Sequence, residues 1–170
     1  MFSKKLQKAM NDQVHHEFES AYIYLSMAAY FDEANLPGFA HWMKIQYQEE
    51  IAHTFKFYDF INERGGRVEL QPIGQPPIEF DSSLHVFEAA LAHEQKITAD
   101  INALYELALE EKDYSSQSFL QWFIDEQVEE EQNAGGVVAT LKMVGDNPHA
   151  ILMLDRELGQ RQPPVEDTAE

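Results

Sequence analysis

Gln48-Glu49-Glu50-Ile51-Ala52-His53 lies midway along a stretch, Pro37 to Arg64, whose apolar residues recur at helical spacing. Glu50 and His53 are three apart, so they stand about 60° from each other around a helix, one turn up. Met43, Tyr47 and Phe57 share that face. A carboxylate and an imidazole therefore project from a stripe that should meet the core, where a lone charge is costly. Lys44 and Lys56 fall on other faces. A metal cation is the natural partner for the pair.

Composition narrows the ligand chemistry. The 170 residues are 44% hydrophobic, enough for one domain with a substantial core, and carry a formal charge of −18. Such an acidic chain is a poor nucleic-acid binder. There is no cysteine, which excludes disulfides, thiolate metal sites and iron–sulfur clusters and leaves nitrogen and oxygen ligands. No apolar run is long enough for a membrane span. Met1-Phe2-Ser3-Lys4-Lys5 runs directly into a helical pattern without a signal-peptide core, so a cytoplasmic location is expected.

The sequence predicts an all-α chain. A first helix over Lys4 to Asp32 carries Leu6, Met10, Val14, Ala21, Tyr24, Ala28 and Phe31 on one face, and Glu17 falls inside that stripe. Asn35-Leu36-Pro37-Gly38 breaks it, and the short connection makes the second helix an antiparallel neighbour. Residues 65 to 81 hold Gly65, Gly66, Pro72, Gly74, Pro76 and Pro77. Extended at roughly 3.3 Å per residue, they reach about 55 Å, whereas a helix of about 28 residues is only about 42 Å long. The connection can cross the whole bundle. A third helix begins near Asp81-Ser82-Ser83 and runs to about Lys112, with Phe87, Ala90, Leu91, Ile97, Ile101 and Leu104 on one side and Glu94 among them. A fourth follows Asp113-Tyr114-Ser115 and ends before Gly145, with a kink or close packing expected at Gly135-Gly136. Asn147-Pro148 opens a short fifth helix to Leu158, closed by Gly159. One domain thus covers 1–159, and 160–170 is a polar tail expected to be disordered.

The two halves repeat. Glu17 and Glu94 are 77 residues apart, and so are Glu50 and Gln127, and His53 and Glu130. His16-Glu17 is echoed by His93-Glu94, and Glu49 by Glu126. Helices one and three each give one carboxylate, while helices two and four each give an i, i+3 pair. Glu17, Glu50, His53, Glu94 and Glu130 would converge at mid-bundle with a formal charge of −4, which two divalent cations cancel. Oxygen-rich sites with an imidazole suit iron, manganese or zinc, and Glu50 is the economical bridge. Glu126 and Glu130 share a face; Glu131 is expected to point to solvent. Tyr24 lies two turns from Glu17, placed either to fill the core, to hydrogen-bond a ligand or to donate an electron. Trp122, one turn before Glu126, reads as packing.

With these motifs in hand, the chain resembles a bacterial non-haem ferritin from Met1 to about Gly159. The carriers are Glu17 with Tyr24, Glu50-x-x-His53, Glu94, and Asp125-Glu126-Gln127-Val128-Glu129-Glu130. Di-iron bundles of the symmetric kind carry two Glu-x-x-His pairs; here the second is Gln127-x-x-Glu130, the form found in true ferritins. The resemblance implies a four-helix bundle with a long crossover between helices two and three and a short fifth helix lining four-fold channels. It implies a homomeric cage of twenty-four subunits that oxidises Fe²⁺ with O₂ and stores the product as a ferric oxyhydroxide. Glu17, Glu50 and His53 would form one iron site, and Glu50, Glu94 and Glu130 the other, with Gln127 hydrogen-bonding nearby. A third iron site maps onto Glu49, Glu126, Glu129 and Glu130. Ile51 stands where a haem-ligating Met is expected in bacterioferritins, so no haem is expected.

Near the start of helix four, where animal ferritins line their three-fold channels with acidic side chains, this chain offers Gln117 and Leu120. Three alternatives remain: a di-iron enzyme acting on an organic substrate or peroxide, a DNA-shielding mini-ferritin, and an acidic bundle without metal. Gln127 speaks against the first, the acidic tail and single-chain constellation against the second, and the matched carboxylates against the third.

Overall fold

A computed structural model describes residues 2–163. Among these residues five helices follow one another: α1 (Lys4–Glu33), α2 (Pro37–Glu63), α3 (Ser83–Glu110), α4 (Tyr114–Val144) and α5 (Pro148–Leu158). The starts are set by side chains that accept from otherwise unpaired backbone N–H groups. Ser3 accepts from Leu6, Ser82 from His85, Asp113 from Ser116, and Asn147 from His149 and Ala150. Pro37 takes the first turn of α2, where its missing N–H costs nothing. At the other end, Gly65 adopts φ 71°. Its N–H donates to Asn62 O at 2.9 Å and that of Gly66 to Ile61 O at 2.8 Å, closing the helix.

The 65–82 connection crosses the bundle as its length predicted. Arg67 O accepts from Gln7 and Asn11, and the Glu69 N–H donates to Asn11, all near the start of α1. Ten residues on, Pro77 O accepts from Ser26, and Phe80 packs edge-to-face on Tyr30 at 5.4 Å. The strap therefore runs along α1 and delivers α3 at the end where α1 finishes. As a result α3 is antiparallel to α1 and parallel to α2.

Two apolar clusters fill the interior. One gathers Tyr24, Phe31, Phe39, Trp42, Met43, Phe87 and Leu141, and the other Leu6, Met10, Phe57, Ile61, Ile101, Leu120 and Phe123. Between them in sequence, on every one of the four long helices, come buried polar residues: Glu17, Glu50 with His53, Glu94, and Gln127 with Glu130. The helical stripes read from sequence are the buried faces, except that Tyr47 and Leu91 are only half-buried.

Two expectations need correction, the close packing at Gly135-Gly136 and the solvent-facing Glu131. Helix α4 runs unbroken through Gly135-Gly136, and among the described residues the pair makes no close approach: a Cβ on Gly136 would meet nothing within 4 Å, and one on Gly135 only Leu91 at 4.0 Å. At the start of α4, Leu120 is fully buried and Gln117 turns its amide to Ala108 O. Glu131 is half-buried and accepts from Thr98 at 2.6 Å. As for the tail, 164–170 lies outside the described residues. Arg161 is packed against α2.

That packing begins with α5. The buried Asp155 carboxylate accepts from the N–H groups of Gly38 at 2.7 Å and Phe39 at 3.0 Å, capping α2 from a distant helix. A Cβ on Gly38 would lie 1.6 Å from Asp155 O. Only glycine lets the two backbones meet this closely.

Candidate metal centre

Glu17, Glu50, His53, Glu94, Gln127 and Glu130 are each at most 4% exposed. They come from four helices; Glu17, Glu50 and Glu130 approach His53, whereas Glu94 joins neither group of candidate ligands and accepts from Tyr24 and Gln127. His53 is central: its Nδ1 lies 3.7 Å from Glu50 and 3.9 Å from Glu17, and its Nε2 3.8 Å from Glu126. One ligand atom each from Glu17, Glu50 and His53 falls within 4.8 Å of the others, and the same holds for His53, Glu126 and Glu130. Ligands about 2.1 Å from a shared ion stand roughly 3–4 Å apart, so these separations suit an ion better than direct hydrogen bonds.

Among the described residues, no Lys or Arg is within ion-pair distance of Glu17, Glu50, Glu94 or Glu130. The donors are neutral. Gln13 donates to Glu17 at 2.7 Å, Gln46 to Glu130 at 2.7 Å and to Glu50 at 3.3 Å, and Gln127 to Glu94 at 3.2 Å. The Tyr24 hydroxyl donates to Glu94. One carboxylate oxygen of Glu17 is buried without a hydrogen-bond partner among the described residues. A site built this way is short of positive charge, which is what a dication supplies.

The titration of these groups records the same shortage. Burial raises the Glu50 carboxyl well above the usual range, repulsion by Glu94 adds to it, and His53 only partly offsets them. Burial and the charges of Glu94 and Glu49 push Glu130 to about 8. Burial lifts Glu94 to about 6 against the donors Tyr24 and Gln127. For His53, burial opposes protonation, yet the neighbouring carboxylates of Glu126, Glu50 and Glu17 win and raise it well above its ordinary value. Burial and Glu94 raise the Tyr24 phenol, which stays protonated and donates.

The remaining candidates form an outer shelf. Glu49 and Glu126 are half-buried, and Glu129 is exposed. Glu126 reaches His53, whereas Glu49 is paired with Arg161 at 2.6 Å. Glu129 joins neither ligand group. Trp122 packs edge-on to His53 at 5.4 Å. The echoed histidines stay outside the cluster: His16 faces Asp100 at 3.2 Å, and His93 meets Ser20 at 2.7 Å and is held neutral, its pKa lowered to about 4 chiefly by burial. Sequence reasoning missed Gln13, Gln46 and Arg161. The glutamines carried a signal, each standing one turn before a buried carboxylate.

Comparison with known proteins now bears on this arrangement. The sequence profile of the ferritin-like domain matches residues 7–144. The chain belongs to the ferritin family. It is 42% identical over 161 residues to a bacterial non-heme ferritin of Staphylococcus aureus, covering 95% of this chain and 97% of that protein. A bacterial non-heme ferritin of Staphylococcus haemolyticus is 43% identical over the same length. Among solved structures, an open pore ferritin from the archaeon Archaeoglobus fulgidus is 48% identical and superposes with a TM-score of 0.95, covering 95% of this chain and 100% of that one. The fold is the one expected from the sequence, an all-α ferritin bundle of four long helices with a short fifth, and these ferritins share it over nearly the full length.

Proposed function

We infer that this ferritin stores iron, taking up Fe²⁺, oxidising it at a two-iron centre within each subunit and holding the ferric product as an oxyhydroxide mineral in a cage of twenty-four copies. The observation that carries this reading is the convergence of Glu17, Glu50 and His53 within 4.8 Å in a buried interior that lacks a Lys or Arg counter-ion among the described residues. Glu17, Glu50 and His53 hold one iron as substrate. Glu50, Glu94 and Glu130 hold the other, Glu50 bridging, with Gln127 steadying Glu94. Glu49, Glu126, Glu129 and Glu130 are the residues for a third iron, and the half-buried positions of Glu49 and Glu126 support it better than the exposed Glu129 does.

Hard carboxylates stabilise the ferric product more than the ferrous reactant and so favour oxidation. Two ferrous ions give one electron each; dioxygen takes both electrons with two protons and leaves as hydrogen peroxide. A single imidazole among carboxylates holds iron weakly enough to pass it on. Glu130 and His53, both raised toward the protonated form, release protons as iron displaces them.

The approach of iron is a separate matter. With Leu120 buried and Gln117 bonded to backbone, the three-fold route lacks the acidic lining of animal ferritins at these positions. The solved relative described as an open pore ferritin supports uptake through a wider opening.

Aerobic Fe²⁺ titration of the sized particle tests the whole reading. A cage of 19.6 kDa subunits should elute near about half a megadalton, and should rapidly oxidise about two irons per chain. The double variant Glu50→Ala, His53→Ala should lose that fast phase. Unchanged oxidation in the variant rejects the site, and a small particle rejects the cage.

A further inference from the structure

Arg161 follows the last turn of α5 and lies against the edge of the carboxylate cluster. Its guanidinium donates to Glu49 at 2.6 Å and to the Gln46 Oε1 at 2.9 Å, and its plane lies over Trp42 at 4.4 Å. Its backbone oxygen meets His41 Nε2 at 2.8 Å. Both partners of the ion pair are sheltered, at 17% and 14% side-chain exposure. The same Gln46 that accepts from Arg161 through its oxygen donates through its nitrogen to Glu130 and Glu50. One guanidinium therefore neutralises an outer carboxylate and fixes the orientation of an amide that serves the inner ones.

We propose that Arg161 is a tethered counter-cation of the outer carboxylates, holding Glu49 in place of a metal ion and orienting Gln46, so that a divalent cation gains Glu49 only by displacing it. The proposal rests on the reading of the cluster as a metal centre. A guanidinium and a dication compete for the same carboxylate lone pairs. Because the guanidinium is attached to the chain, its effective concentration at Glu49 is high whatever the ionic conditions. Rotation about its side-chain bonds is enough to let it withdraw, since its backbone stays anchored by His41 and by α5. The outer ion is thereby bound more weakly than the inner pair. Arg161 is a positioning residue: it touches Glu49 and Gln46, not the reacting iron.

Calorimetric titration of the assembled, metal-free protein with Zn²⁺, which undergoes no oxidation, reads the inner and outer affinities separately. Arg161→Gln should tighten the outer ion tenfold or more while changing the inner sites less than threefold. Arg161→Lys keeps the charge and should stay closer to the wild type. Equal outer affinity in all three proteins, with inner binding intact, overturns the proposal, and a fall in melting temperature alone would then mark Arg161 as a staple between α5 and α2. Absence of inner binding in the wild type overturns the metal-centre reading as well. A zinc-soaked crystal of the wild type gives a check that needs no variant. The guanidinium should leave Glu49 wherever the outer ion binds, and guanidinium and ion on Glu49 together would reject the competition.

Discussion

Gln46 donates across the bundle to Glu130 at 2.7 Å, from one turn before Glu50, which the same nitrogen approaches at 3.3 Å. A neutral amide thus supports two carboxylates that have no Lys or Arg partner among the described residues. In the metal-free chain, Gln46→Leu leaves Glu130 short of a donor, and a buried group so deprived costs about 1–3 kcal/mol. Urea unfolding should show that loss in the metal-free protein and a smaller one after zinc loading, when the ion takes over the work of the amide. An equal loss in both states would mean that Gln46 acts through packing alone.

The cluster makes stability depend on pH in a defined direction. Glu94 at about 6 and Glu130 at about 8 lie above the ordinary 4.5, so the folded chain holds protons that the unfolded chain releases. Their contribution falls as pH rises from about 4.5 through 8. His53, also raised, stabilises fully below its ordinary 6.5 and loses that stabilisation as pH rises through its higher folded value. Asp113 works the other way: Arg64 holds it well below 3.8, so its contribution is present at neutral pH and is lost only on strong acidification. The metal-free protein should therefore be more stable at pH 5 than at pH 8. At pH 7, zinc binding should release on the order of one to two protons per chain, measured by calorimetry in buffers of different ionisation enthalpy. Binding without proton release would contradict the protonated state of Glu130 and His53.

Much of this site was readable because the helical period is so regular. Glu17 and Glu94 stand among apolar residues at core spacing, and the 77-residue repeat matches them across the two halves. Leu120, which the sequence reading left without a place in the core, is buried on the stripe of Phe123, Gln127 and Glu130. What stayed hidden depended on contacts far apart in the chain. Arg161 meets Glu49 across 112 residues and Asp155 meets Gly38 across 117; no local pattern encodes either. Gln13 and Gln46 looked like ordinary polar residues until the structure buried them at 3% and 0% exposure. Glu129 differs from Glu130 by about 100° around the helix, which is why one is exposed and the other buried.

Tyr24 separates two roles that the sequence left open. Its hydroxyl donates to Glu94 and, with Gln127, holds the Glu94 carboxyl down to about 6 against burial. Removing that donor in Tyr24→Phe should raise the Glu94 pKa and move the pH profile of zinc binding upward by about half a unit or more. If Tyr24 instead acts by giving an electron, the variant should slow iron oxidation without moving the zinc profile. Rapid-mixing oxidation and equilibrium titration on the same variant distinguish the two.

Gly38 tests how α5 is held. The Asp155 carboxylate caps the first turn of α2, and the backbones approach so closely that a Cβ at Gly38 would sit 1.6 Å from Asp155 O and 2.5 Å from its carbonyl carbon. Backbone atoms cannot rotate away as a flexible side chain does, so Gly38→Ala must displace α5. Overpacking of this kind costs about 1–3 kcal/mol, occasionally more. Asp155→Ala removes the cap without the clash and should cost about 0.5–2 kcal/mol. Because Arg161 follows α5 closely, the displacement in Gly38→Ala should also pull the guanidinium from Glu49 and tighten the outer zinc site, as Arg161→Gln does. Thermal unfolding, proteolysis between α4 and α5, and zinc titration of the two variants check this. Wild-type stability and wild-type zinc binding in Gly38→Ala would show that α5 is not seated against α2 as the geometry requires.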